Sequence, residues 1–322
     1  MSKKHMHYDA ADLAAVMDAG DRLGIEREDE GIFLARQLDY VKTRIYEVAT
    51  PSLTGLQLVP VSTEVPEWAE SFTYREYDEV GMAKFISNYA DDLPRVDVIG
   101  TEKTLKLKSM GDSYGYSLDE MRLANAMGTN LSERKGRTAR RAIDQLTNKV
   151  ALVGDEKHGF YGFTNHPNLG ETAVTGDWTN PATTGQQILD DLLAMYDAVQ
   201  IQSYDYHKPT TLALAPTRRS ALMRKNVNEG GNWESVMARF KSLYPDVSII
   251  ASTELEPSAA NGQESTAVMY ERDVDNLSIE IPRPFEQLPA EKRNLEMVID
   301  CIAKCSGVAI YRPLSLTKAV GV

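Results

Sequence analysis

The sequence predicts an α+β fold, and three observations carry that prediction. Helix-like and strand-like stretches fall in separate runs, with no βαβ rhythm. A long amphipathic helix is followed much later by an alternating strand at Leu295, Met297, Ile299, Cys301 and Ala303. Between Val59 and Met110, two strands flank an acidic, aromatic excursion that is poor in aliphatic runs. A hairpin arm of this kind cannot bury both faces on its own subunit, and an isolated ribbon is marginal in water. It therefore calls for a partner surface. The 322 residues suit roughly two domains by the usual length relation.

Taken in order, residues 9–19 read as a short Ala-rich helix and 21–31 as a charged, Gly-containing linker. Leu34, Leu38, Val41, Ile45 and Val48 alternate four and three apart, the seam of an amphipathic helix that Pro51 closes. That helix either packs on its own domain or lies as an arm on a neighbour. In the hairpin, Phe72, Tyr74, Tyr77, Phe85 and Tyr89 stand among carboxylates that include Glu76 and Asp78. Leu105 and Leu107 alternate with Lys106 and Lys108 on a half-exposed return strand. The glycines of Gly111-Asp-Ser-Tyr-Gly115 read as a turn after it.

Ser117-Leu-Asp-Glu120 has the spacing of a capping box and starts a short helix ended by Gly128. Asn130 and Glu133 offer a second cap. The helix that follows to Val153 places Ala139, Ala142, Ile143, Leu146, Val150 and Val153 on one face. Its other face carries Arg134, Lys135, Arg137, Arg140, Arg141 and Lys149, a run that is by default a solvated charged face. A glycine- and aromatic-rich loop at 158–167 and a Thr/Gly/Pro linker lead to a new unit near 184. There Ile188, Leu189, Leu192, Tyr196 and Val199 form an amphipathic helix, and Thr210–Leu214 a buried strand stopped by Pro216. A helix over 233–244, strands at 247–251 and 266–270 with an open loop between them, and a last strand at 308–311 complete the reading.

Composition narrows the function. Hydrophobic residues at 42% and charged residues at 25% are ordinary for a globular chain. A net charge of −12 argues against a surface that clamps nucleic acid or an anionic membrane, since both need clustered Lys and Arg. No apolar run reaches the ~20 residues of a membrane span, and residues 1–12 lack the apolar core of a secretory signal. Cys301 and Cys305 are the two cysteines. On a strand, four residues span roughly 13 Å, too far for a mutual disulfide, so free thiols and a reducing cytoplasm are expected.

A search for chemistry finds little. The GxxxxGK[ST], HExxH and G-x-S-x-G patterns are absent. Ser132-Glu-Arg-Lys135 matches bare SxxK spacing, but it sits where a helix starts, a common place for Ser. His5 and His7 supply two ligands on a terminus, which do not close a metal site. His158 and His166 match no known ligand spacing. Asp91/Asp92 and Asp190/Asp191 are sequence neighbours and so point to different faces. No catalytic residue, cofactor or metal ligand is assigned.

The order of elements resembles the Johnson fold, the Hong Kong phage capsid fold of tailed-bacteriophage major capsid proteins, which encapsulin shells share. Residues 65–98 look like the extended loop of one capsid subfamily. Residues 111–124 look like its return strand and following helix, and 138–167 like the spine helix running into the glycine-rich turn. The resemblance covers nearly the whole chain. It implies an N-terminal arm at 1–58 and an extended loop at 59–110. It further implies a peripheral domain at 111–184 with 273–322, and an axial domain at 185–272.

By this resemblance the chain is a structural protein that self-assembles into an icosahedral head shell around double-stranded DNA. An encapsulin-like compartment shell is the alternative, with a soluble α+β hydrolase behind it. Trp68, Phe72, Tyr74, Tyr77, Phe85 and Tyr89 would then form the assembly interface of the extended loop. Glu76, Asp78, Arg134, Arg137 and Arg141 would be candidate inter-subunit charge contacts. The implied partners are copies of the chain in hexamers and pentamers, a separate scaffolding protein, a portal, a decoration protein and DNA held without sequence-specific contact. No membrane is implied. The expected location is the virion capsid, assembled in the bacterial host cytoplasm.

Overall fold

The computed structural model describes residues 52–80, 97–127, 131–227, 234–257, 264–294 and 296–322. The two helices and linker expected before Pro51 lie outside the described residues. So do His5, His7, Phe85, Tyr89, Asp91, Asp92 and the capping positions Gly128 and Asn130.

Helix α1 (Gly55–Leu58) and β1 (Val61–Ser62) lead into the hairpin, β2 (Ser71–Val80) and β3 (Asp97–Ser117). At 21 residues, β3 is about 70 Å long at the usual rise. Its first half pairs with β2 in unbroken antiparallel register from Ser71↔Lys106 to Val80↔Asp97. The expected alternation holds: Leu105 is half-buried and Leu107 buried, while Lys106 and Lys108 are exposed.

The glycines at 111–115 do not turn the chain. They lie inside β3, because a strand accepts glycine where a partner's side chain lies over the backbone. A Cβ on Gly115 would strike the Glu296 carboxylate. Likewise Tyr77, opposite Gly100, lies 3.2 Å from where a Cβ there would sit.

Helices α2 (Leu118–Met127) and α3 (Leu131–Leu152) follow. The capping box closes in both directions: Glu120 N donates to Ser117 Oγ at 3.1 Å and Ser117 N to Glu120 Oε2 at 3.2 Å. The buried face of α3 is Gly136, Ala139, Ile143, Thr147 and Val150, and the expected Ala142 and Leu146 are exposed. The seam turns this way because small residues let the helix settle onto the sheet. Ala139 and Ile143 pack on Cys301 and Ala303, and a Cβ on Gly136 would lie 3.2 Å from the Tyr114 hydroxyl. The short strands β4 (Gly154–Asp155) and β5 (Phe160–Tyr161) then form a tight turn in which a Cβ on Gly162 would collide with the backbone of Val153 and Gly154.

The stretch read as a linker is packed structure. It holds β6 (Gly170–Glu171) and the fully buried Trp178. Helix α4 (Gly185–Gln202) starts in a Thr184/Gln187 capping box, and β7 (Thr211–Leu214) follows. Pro216 ends that strand but also begins a helix missed in the sequence, α5 (Pro216–Arg224), since a fixed φ suits the first helical position. Beyond it come β8 (Asn226–Val227), β9 (Glu234–Ser235), α6 (Val236–Leu243), β10 (Ser248–Ala251) and β11 (Thr266–Tyr270). The C-terminal part is β12 (Leu277–Glu280), β13 (Arg283–Gln287), β14 (Glu291–Arg293), β15 (Glu296–Ser306), β16 (Val308–Ile310) and β17 (Leu316–Val320).

Three sheets organise these elements. The first has the order β10-β7-β11-β17-β6 and separates two cores, because alternate residues point to opposite faces. Leu212, Leu214 and Met269 face Trp178 and α4, whereas Ala213, Val268 and Tyr270 face Leu58, Phe163 and Ile279. The second is β1-β12-β16. The third, β13-β15-β3-β2, ties the hairpin to the C-terminal strands through the pairing of β15 with the second half of β3. Both cysteines sit buried and unbridged on β15.

Candidate assembly surface

The root of the hairpin is fixed by contacts within the chain. Lys304 Nζ donates to the Glu67 carbonyl at 2.9 Å, and Arg283 pairs with the Glu67 carboxylate at 3.1 Å. Tyr74 sets its ring edge-on to Tyr311 with centroids 4.8 Å apart. Burial, aided by Glu76 and Tyr311, pushes the Tyr74 hydroxyl up to about 12. Cross-strand pairs continue outward: Thr73 with Thr104 at 2.8 Å, Arg75 with Glu102 at 2.8 Å, and Lys103 with Glu76 at 2.8 Å.

The aromatic residues therefore divide. Phe72 and Tyr74 are half-buried in their own subunit. Trp68 is 83% exposed and Tyr77 66% exposed, although Tyr77 also lies over the backbone of Gly100. Asp78 stands opposite Ile99 on the ladder. On α3, Arg134 and Arg137 are exposed and Arg141 half-buried. Their neighbour Lys135 is committed locally, donating to the Gly115 carbonyl at 2.7 Å and to Glu120 at 3.2 Å, so the SxxK reading loses its amine. Arg140 lies over the Phe285 ring.

A groove of about 1550 Å³ separates the hairpin root from β12 and residues 311–314. Trp68, Val274 and Leu314 are exposed at its walls, and the buried Glu280 lines it. Sequence reasoning passes over Glu280, because a single acid at the end of a short buried strand has no periodic signal.

His158, His166, His207 and the Asp190/Asp191 pair have structural partners. His158 Nδ1 meets Asp155 at 2.7 Å and His207 Nδ1 meets Glu271 at 2.6 Å. His166 accepts from the Asn168 N–H at 3.2 Å, and burial holds it down at about 4. Asp191 accepts from Thr175 N, Thr175 Oγ1 and Trp178 Nε1, whereas Asp190 turns outward to Gln186. Among the described residues no group of three or more His, Cys, Asp or Glu is placed to hold a metal. Among them too, no helix is long and apolar enough to cross a membrane.

This architecture is similar to that of solved phage capsids. The capsid of Myoviridae phage XM1 superposes with a TM-score of 0.80 at 17% identity, covering 91% of this chain and 100% of that one. Mycobacterium phage Bobi gives 0.63 at 14% identity, over 89% and 96% of the two chains. The virus-like particle of Pyrococcus furiosus gives 0.50 at 12% identity, over 82% and 91%. No curated protein sequence matches the chain. The model of the major capsid protein family matches residues 81–322. That span takes in the return strand β3, the spine helix α3 and every element after them, and the chain accordingly belongs to the major capsid protein family, the structural head-shell proteins of tailed phages.

Proposed function

We propose that the chain builds its shell from pentamers and hexamers by laying the 59–110 hairpin across a neighbouring copy. The observation that carries this reading is the exposure of Trp68 and Tyr77 on a hairpin whose root is locked to its own subunit. A fixed arm with bare aromatic rings is built to be covered, since buried aromatic anchors dominate interfaces. Phe85, Tyr89, Asp78, Arg134, Arg137 and Arg141 belong to the same proposed contact, with Glu76 acting through its pair with Lys103. Residues 1–58 serve as the arm. Residues 111–184 with 273–322 form the peripheral part and 185–272 the axial part, joined through the sheet that β17 enters.

The role is structural, without catalysis. The enclosed cargo is double-stranded DNA, and the acidic chain lets it move without clamping its phosphates. A separate scaffolding protein, a portal and a decoration protein complete the particle in the host cytoplasm. Electron microscopy of the purified chain, before and after nuclease treatment, tests this. Closed shells of uniform diameter that carry nuclease-protected DNA are expected from infected or induced cells. A chain that remains monomeric, or shells filled with a protein cargo, would overturn the proposal.

A further inference from the structure

Glu280 is 3% exposed, and its Oε2 has no hydrogen-bond partner among the described residues. Its position is set by the backbone: its N–H donates to Ser306 Oγ at 3.0 Å, and β12 is paired on both sides. Two hydroxyls also line the groove, Ser278 Oγ and that of Tyr311, and they bond to each other at 2.9 Å. A buried carboxylate left without a partner is strongly unfavourable. Such a group, lining an open groove, marks a place kept for a cation.

The groove decides which cation. A divalent ion needs about six to eight oxygen ligands, and the described residues offer no cluster of three ligating side chains there. Its volume of about 1550 Å³ exceeds the ~300–1,000 Å³ that encloses a small ligand. Five carboxylates (Glu64, Glu70, Glu76, Asp275 and Glu280) line it against the two guanidiniums of Arg75 and Arg312. One wall is β2, the last strand of its sheet among the described residues, whose outer edge carries backbone groups that an extended segment can pair with. These features fit a basic polypeptide segment.

We propose that the groove receives an extended segment of a second copy of the chain, whose Lys or Arg side chain pairs with Glu280. The inference rests on the shell reading, since in a closed shell the same surfaces meet at every repeat. Its test is Glu280→Gln, which keeps the shape and removes the charge, and Glu280→Lys, which reverses it. The Gln variant is expected to raise the concentration needed for assembly at least tenfold and the Lys variant to block assembly. The unfolding midpoint of the free Gln subunit should be unchanged or higher, because an unpaired buried charge has gone. An electron cryo-microscopy map of wild-type shells should place a basic side chain of a neighbouring copy at ion-pair distance from Glu280. Wild-type assembly by the Gln variant overturns the inference, as does a map with solvent, the same copy or another protein in the groove. Both results leave the shell reading standing, whereas a wild-type chain that never assembles overturns both.

Discussion

If the hairpin docks on a neighbouring copy as proposed, Trp68→Ala separates assembly from folding. Trp68 is 83% exposed, so folding gains little from it, and surface substitutions of that kind shift stability by less than ~0.5 kcal/mol. Its value to assembly follows from area. A tryptophan buries about 150–250 Å², and at ~25 cal/mol per Å² covering the exposed part stabilises a contact by about 3–5 kcal/mol at most. Truncations of interface anchors of this type cost about 2–4 kcal/mol. Even the lower figure corresponds to roughly a 30-fold change in an association constant. The expected result is an unchanged urea midpoint for the free subunit, together with a critical assembly concentration raised about 30-fold or more. Sedimentation of shells from free subunits over a dilution series measures it. Assembly at the wild-type concentration would refute the reasoning, and a lowered midpoint would show that Trp68 serves folding instead.

Three further outcomes test the interior. Asp191→Ala strands the Trp178 indole N–H inside the first core and frees the part-buried Thr175 N–H, and should cost about 2–4 kcal/mol in denaturant unfolding, from ~1–3 kcal/mol for the orphaned indole plus lost packing. Tyr74→Ala removes a half-buried ring and its edge contact with Tyr311; a loss of about 2 kcal/mol is expected, and a neutral result would show that the hairpin root is not held by that ring. His166, held at about 4 chiefly by burial and secondarily by the charge of Lys103, has a folded value below its ordinary ~6.5. Its contribution is therefore complete above about pH 6.5 and is lost as the pH falls toward 4, by up to about 3 kcal/mol. His166→Asn keeps an acceptor for Asn168 and should flatten that part of the stability–pH curve; an unaltered slope would exclude His166 as its source.

The strand and helix series was legible where one pattern governed each segment. Leu105 to Lys108 alternate because one face of β3 is covered, and Ser117 with Glu120 meet because a helix start leaves amides unsatisfied. Legibility failed where a tertiary neighbour set the answer. Gly111 and Gly115 look like a turn until Glu296 lies over the backbone of Gly115. Leu146 looks like a seam residue until Gly136 and Ala139 pull the helix round toward Tyr114 and Cys301. Trp178 looks like part of a linker until Asp191, 13 residues later, captures its indole N–H. The same limit applies to the surface: no local pattern distinguishes Tyr74, held by Tyr311, from Tyr77, which is not buried.

The division between those two tyrosines bears on how the hairpin works. A loose arm would lose conformational freedom on docking, and that loss subtracts directly from the contact energy. Here the register of β2 on β3 is unbroken, and the second half of β3 is paired with β15 from Leu107 to Ser117. The root is cross-tied by Lys304 and Arg283 to Glu67. The Arg283–Glu67 ion pair is worth little alone, and the Lys304 tie is a hydrogen bond to a backbone carbonyl. The effect is directional: a strand about 70 Å long, clamped over its second half, fixes where Tyr77 on its partner strand points, while the ties at Glu67 fix the chain beside Trp68. The residues spent inside the subunit and those left bare outside it are thus parts of one device. On the proposed docking of the hairpin, the buried set supplies the rigidity with which the bare set would bind a neighbour without first being ordered.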